Sequence, residues 1–151
     1  MKKIGEYTAK GIITSNDYDT HKIQLFDGRF DTGYRITGFE IALSNRDDVT
    51  TFVASAKLMT DVEGHVNGRY WNWSRNEEIA WASCAWDANN GNIRRLDTVI
   101  DPDNMVIEDL YIAAICAVDL AKDVNYMIHM DKYDITDWQG ALSMVRNKSQ
   151  G

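Results

Sequence analysis

Proline occurs once in 151 residues, at Pro102, and cysteine only twice, at Cys84 and Cys116. So little proline, with ten glycines, argues against a disordered or low-complexity chain. Neither cysteine belongs to a CxxC or to a Cys/His cluster at metal-ligand spacing, which excludes a disulfide-dense scaffold and the common zinc folds. Both lie in apolar runs, where a thiol packs as a small hydrophobe. A Cys84–Cys116 bond between neighbouring strands stays open. Basic residues are the minority, 16 Lys and Arg against 23 Asp and Glu, for a net charge of −7 and a pI near 4.8. Their densest stretches hold two or three basic residues, as at Arg94-Arg95, which argues against direct nucleic-acid binding. No apolar run approaches the roughly 20 residues of a membrane span, so no membrane partner is expected. Met1-Lys2-Lys3-Ile4 runs into Gly5-Glu6 instead of an apolar signal region, so synthesis in a reducing cytoplasm is expected.

Catalytic signatures are also missing. His21, His65 and His129 have no HExxH or HxH spacing. There is no GxGxxG, Walker A or GxSxG. Glu77 and Glu78 are adjacent, so on a strand they point to opposite faces and cannot act as a carboxylate pair. Asp101-Pro102-Asp103-Asn104, with Glu108 and Asp109, has the composition of a calcium loop but not the residue order of an EF-hand. The expectation is a chain that is not an enzyme, with no catalytic, cofactor-binding or metal-ligating residues and no cofactor.

What the chain does have is alternation. Side chains along a strand point to two faces in turn, so apolar residues at every second position mark a half-buried strand. Tyr7 to Thr14 and His21 to Phe26 read as strands. So do Tyr34 to Leu43, Thr51 to Met59, Glu77 to Trp86, Ile93 to Ile100, Leu110 to Val118 and Val124 to Tyr133. Turn clusters separate them, among them Asp27-Gly28, Asp87 to Asn92 and Asp101 to Asn104. Eight strands at intervals of roughly 10–15 residues predict an all-β fold, an antiparallel β-sandwich or jelly roll. The predicted core holds Phe39, Ile41, Phe52, Leu58, Ile79, Trp81, Leu110, Ile112, Tyr126 and Ile128. Asp61 to Arg69 reads as an exposed loop or wide hairpin.

After Tyr133 the period changes. Thr136 with Gln139 is a capping-box signature. Trp138, Ala141, Leu142 and Val145 then stand at i, i+3, i+4 and i+7, predicting one short C-terminal helix over about 137–148. The expected organisation is an N-terminal arm, residues 1–5, and one domain, residues 6–151.

One cluster invites a ligand. Tyr70, Trp71 and Trp73 stand beside Arg69, Asn72 and Arg75, and aromatics flanked by planar polar groups can stack on a sugar. The alternative is that these rings cap one end of the sandwich.

Several phrases resemble virion structural proteins of the capsid or decoration type from environmental tailed phages, marine ones in particular. They are Gln24-Leu25-Phe26-Asp27-Gly28-Arg29-Phe30 with Thr32-Gly33-Tyr34-Arg35-Ile36, and Glu78-Ile79-Ala80-Trp81-Ala82. Others are Ile100-Asp101-Pro102-Asp103 with Asp109-Leu110-Tyr111-Ile112, Asn125-Tyr126-Met127-Ile128, and the ending from Ile135. The resemblance implies a non-enzymatic capsid or capsid-decoration subunit, located in the virion. Its partners would be copies of itself and other virion proteins, and it carries over no active-site residues. The second expectation is a carbohydrate- or receptor-binding module, such as a fibre or tail tip, that meets a host-surface glycan through Tyr70, Trp71 and Trp73.

Overall fold

The period-two pattern builds eight antiparallel strands in the computed structural model, which describes residues 2–15, 20–25, 31–45, 49–116 and 122–135. They are β1 (Lys2–Thr14), β2 (His21–Ile23), β3 (Thr32–Leu43), β4 (Phe52–Met59), β5 (Glu78–Asp87), β6 (Asn92–Ile100), β7 (Leu110–Cys116) and β8 (Asp123–Asp134). One sheet has the order β1-β8-β3 and the other β2-β7-β4-β5-β6. The two sheets face each other as a β-sandwich.

The strand order has a simple origin. First pairs with last (β1 with β8), second with seventh (β2 with β7), and fourth with fifth (β4 with β5). A long hairpin folded over on itself, as in a jelly roll, would also pair third with sixth. The third and sixth strands meet across the sandwich edge without a shared ladder, where Arg95 Nη2 lies 3.1 Å from Glu40 Oε2. β6 instead pairs with β5.

The core forms where the two inner faces meet. The three-stranded sheet contributes large side chains: Ile36, Phe39, Ile41 and Leu43 from β3, and Tyr126, Ile128 and Met130 from β8. The five-stranded sheet answers with many small ones, Ala54, Ala56, Ala80, Ala82, Cys84, Ala114 and Cys116, beside the bulky Phe52, Leu58, Ile79, Trp86, Leu110 and Ile112. Small against large lets the layers interdigitate at the density of a protein interior. All ten predicted core residues are buried. Trp81 is buried elsewhere, on the outer face of its sheet. Its neighbours Ala80 and Ala82 point inward, and successive residues on a strand take opposite faces.

Three features differ from the sequence reading or complete it. Lys2 to Gly5 are not an arm but the first residues of β1, with Lys2 opposite Asp134, Lys3 opposite Tyr133 and Gly5 opposite Lys132. These residues lack an apolar alternation because an edge strand can be held by backbone bonds to its neighbour and buries few side chains; in β1 only Ala9 is buried. The predicted helix over about 137–148 lies outside the described residues. Cys84 and Cys116 form no disulfide. Ala54 stands between them, opposite Cys84 on one side and Cys116 on the other. Two strand spacings put the cysteines about 10 Å apart, beyond the roughly 7 Å a disulfide spans.

The edge of the three-stranded sheet at β3 is covered by the loop after β6. Tyr34 and Val106 exchange backbone hydrogen bonds of 2.8 and 2.7 Å. Above them Asn104, buried, accepts from the Ile36 N–H through Oδ1 (2.7 Å) and donates from Nδ2 to the carbonyls of Ile36 (3.1 Å) and Asp101 (2.7 Å). A covered edge offers no template for pairing with another chain. The acidic run at Asp101 to Asn104 thus supplies an edge cap. A satellite cluster of Met105, Ile107 and Ile135 packs beside it.

Candidate functional site

Loop 60–77, between β4 and β5, carries Tyr70, Trp71 and Trp73 across the outer face of the five-stranded sheet. Its local shape follows from asparagines, whose short side chains bond their own backbone two or three residues on. Asn67 Oδ1 accepts from the N–H groups of Arg69 (2.9 Å) and Tyr70 (3.1 Å), and Asn72 Oδ1 from the N–H (3.1 Å) and hydroxyl (2.6 Å) of Ser74. Gly68 lies directly on β7. A Cβ there would sit 3.0 Å from Ala114 Cα and 3.1 Å from the Ala113 carbonyl oxygen. Gly68→Ala should therefore lift the loop and cost about 1–3 kcal/mol as an overpacked contact. A thermal midpoint unchanged from wild type would show that the loop yields freely there.

The three aromatics divide in role. Tyr70 is 54% and Trp73 65% exposed. Trp71 is half-buried and donates its indole N–H to the Gly68 carbonyl at 3.2 Å, holding the loop. Trp73 leans on Trp81, with ring centroids 5.7 Å apart and planes 54° apart. The rings therefore roof the outer face of a sheet, instead of capping one end of the sandwich, and two of them face solvent.

Beneath them is a buried ionic cluster. Lys57 and Glu78 are inaccessible to solvent, with Lys57 Nζ 3.1 Å from Glu78 Oε2. Lys57 also donates to the Tyr70 carbonyl at 2.7 Å. Glu78 accepts from three further donors: the Asn72 N–H (2.9 Å), the Trp81 indole N–H (3.2 Å) and Arg75 Nη1 (3.3 Å). Arg75 Nη2 in turn donates to the Glu63 carbonyl at 2.6 Å, and Arg75 Nε lies 3.9 Å from Glu77 Oε2. One carboxylate thus ties the loop to β4 and β5. Burial pushes the Lys57 ammonium below its ordinary pKa of 10.5, while the hydrogen bond and charge of Glu78 oppose that shift.

A bulge makes this cluster. Lys57 is opposite Trp81 and Leu58 opposite Ala80, but Met59 is opposite Glu78, so Ile79 is an extra residue. By strict alternation Glu78 would share the inward face of Ala80 and Ala82. The bulge moves it to the outer face, beside Lys57 and Trp81. Alternation of the sequence carries no mark of that phase change.

The other candidates do not converge. His21, His65 and His129 lie on β2, on loop 60–77 and on β8. His129 Nδ1 is 3.4 Å from the Thr8 hydroxyl. An open cleft of about 290 Å³ lies between the end of β1 and the strands β2 and β7, lined by Ile12, Ile13, Thr14, Thr20, His21, Ile112 and Ala114. His21 is the one titratable side chain in that lining. Among the described residues no group of three or more His, Cys, Asp or Glu side chains could hold a metal ion, and no helix is long and apolar enough to cross a membrane.

Comparisons with protein-family models, with curated proteins and with solved structures found no match for this chain. Among the described residues, the surfaces with a geometry suited to recognition are the exposed rings Tyr70 and Trp73 and the edge of β1, on whose outer side no described strand lies.

Proposed function

We propose that this chain is a non-enzymatic structural subunit of a tailed-phage virion, a component of the capsid shell or of its decoration. It is made in the host cytoplasm and works by associating with copies of itself and with other virion proteins. The observation that carries this reading is the two-sheet sandwich, with first strand paired to last and second to seventh as in a jelly roll, and one long edge, β1, that no described strand covers on its outer side. Capsid domains are among the proteins built on this architecture, although a fold alone does not fix a function. The phrase-level resemblance points the same way, and the acid excess argues against a role in wrapping a genome. The test is mass spectrometry of purified particles from an infected host, with a tagged copy offered to shells that lack it. Recovery in stoichiometric amount is expected; absence from particles would overturn the reading.

A specific observation favours a second reading, a host-surface glycan bound at Tyr70 and Trp73. Their exposure on a loop pinned by a buried ionic cluster gives rigid rings on which a pyranose can stack. Trp73→Ala should abolish binding on a glycan array with the melting temperature nearly unchanged, since that ring is mostly exposed. No bound glycan for the wild-type chain would dismiss this reading.

A further inference from the structure

We propose that β1 pairs with β1 of a second copy, antiparallel, about a two-fold axis at Thr8, joining two three-stranded sheets into one of six strands. This deepens the assembly reading above by naming its surface and its partner. β1 is the end strand of its sheet, and among the described residues no strand lies on its outer side. An end strand presents a row of backbone N–H and C=O groups along that side. Ile4 and Ile12 on it are 51% and 52% exposed.

The second copy is singled out by charge. Antiparallel pairing of a strand with itself puts residues i and j opposite when their numbers have a fixed sum. With Thr8 opposite Thr8, Glu6 faces Lys10, Tyr7 faces Ala9 and Gly5 faces Gly11, while Ile4, at the bulge between Lys3 and Gly5, falls outside the regular ladder. The two-fold repeats each pair, giving two Glu–Lys pairs and two in which a large ring meets a small residue. Glu6, Thr8 and Lys10 are exposed and alternate, so they share the outer face of the sheet.

Other registers fail. Centring on Glu6 or on Lys10 puts like charges directly opposite. Centring on Tyr7 or on Ala9 leaves the Glu–Lys pairs unmade, setting Lys10 against Ile4 or Thr8. Centring between two residues places an outer-face side chain against an inner-face one and breaks the continuity of both faces.

Within one copy Lys3 already lies 2.9 Å from Glu6 and 3.2 Å from Asp131. Lys3 keeps Asp131 when Glu6 turns to the partner. The bulge between Lys3 and Gly5 ends the regular ladder, so pairing is limited to the stretch around Thr8. At the far edge of the same sheet, Val106 and Asn104 cover β3 at Tyr34 and Ile36. Pairing of β1 with β1 about a two-fold axis uses the same surface on both copies, so it closes as a dimer.

Sedimentation velocity of the full chain over a wide concentration range tests this, with circular dichroism to confirm the fold of each variant. Wild type should dimerise. Glu6→Lys and Lys10→Glu should each weaken the dimer by roughly tenfold or more, because both symmetric pairs become repulsive. The double variant Glu6→Lys/Lys10→Glu should restore it, and an equimolar mixture of the two single variants should form a heterodimer. A wild type that stays monomeric, or single variants that dimerise as well as wild type, would overturn the proposal. Particle incorporation separates the two levels. A monomeric chain found in virions removes the edge pairing and leaves the assembly reading. A β1 dimer never found in virions does the reverse.

Discussion

Glu78→Ala should lower the stability by about 3–5 kcal/mol, the cost of removing one partner from a buried ion pair. For a chain of this size that is a fall in melting temperature on the order of 10 °C. Among the described residues Glu78 is the only carboxylate bonded to Lys57, and it receives four donors. Removing it leaves the Lys57 ammonium against Arg75 in a site inaccessible to solvent. Lys57→Met should cost less, because Arg75 still neutralises Glu78 and the aliphatic stem is replaced.

The pH dependence has a definite sign. Burial and Arg75 hold Lys57 below its ordinary 10.5, and Glu78 opposes them. Without Glu78 the shift grows. Between the lowered folded value and 10.5 the unfolded chain binds more protons than the folded one, so stability rises with pH there. The deficit of Glu78→Ala against wild type should therefore shrink from pH 7 towards pH 10. A melting temperature within about two degrees of wild type at pH 7 would mean that water reaches the cluster and that loop 60–77 is not anchored by it.

Asn104→Ala should be the next most damaging change, at roughly 2–5 kcal/mol. Its side chain serves three backbone groups: the Ile36 N–H, the Ile36 carbonyl and the Asp101 carbonyl. A buried polar group left without a partner costs about 1–3 kcal/mol, and alanine supplies neither donor nor acceptor. The effect should be local before it is global. The Ile36 amide should lose hydrogen-exchange protection, while amides of β4, at the middle of the other sheet, keep theirs up to the reduced global stability. The uncovered β3 edge should also make the variant more prone to aggregate. Unchanged protection at Ile36 would show that the Tyr34–Val106 backbone pair alone holds the loop on the edge.

The sequence by itself determined the strands and the class of fold. Alternation of large apolar and polar residues, as in Val124-Asn125-Tyr126-Met127-Ile128, marks a strand with one face buried whatever its neighbours are. Turn clusters such as Asp87 to Asn92, where Gly91 takes φ +66°, mark where each strand ends. The pairing of first strand with last came only from the tertiary structure, because backbone bonds between strands carry no side-chain code. Lys2 to Gly5 show this: their side chains predict nothing, yet the β8 edge recruits their backbone. The Ile79 bulge was illegible for a related reason. It reverses the phase of alternation at one point, and so moves Glu78 from the inward face, where alternation alone would put it, to the outer face as the buried partner of Lys57. Tyr70, Trp71 and Trp73 could be named as a cluster from composition alone. Which ring holds the loop and which faces water depended on Gly68 resting against β7, a contact that exists only once the loop has folded back across the sheet.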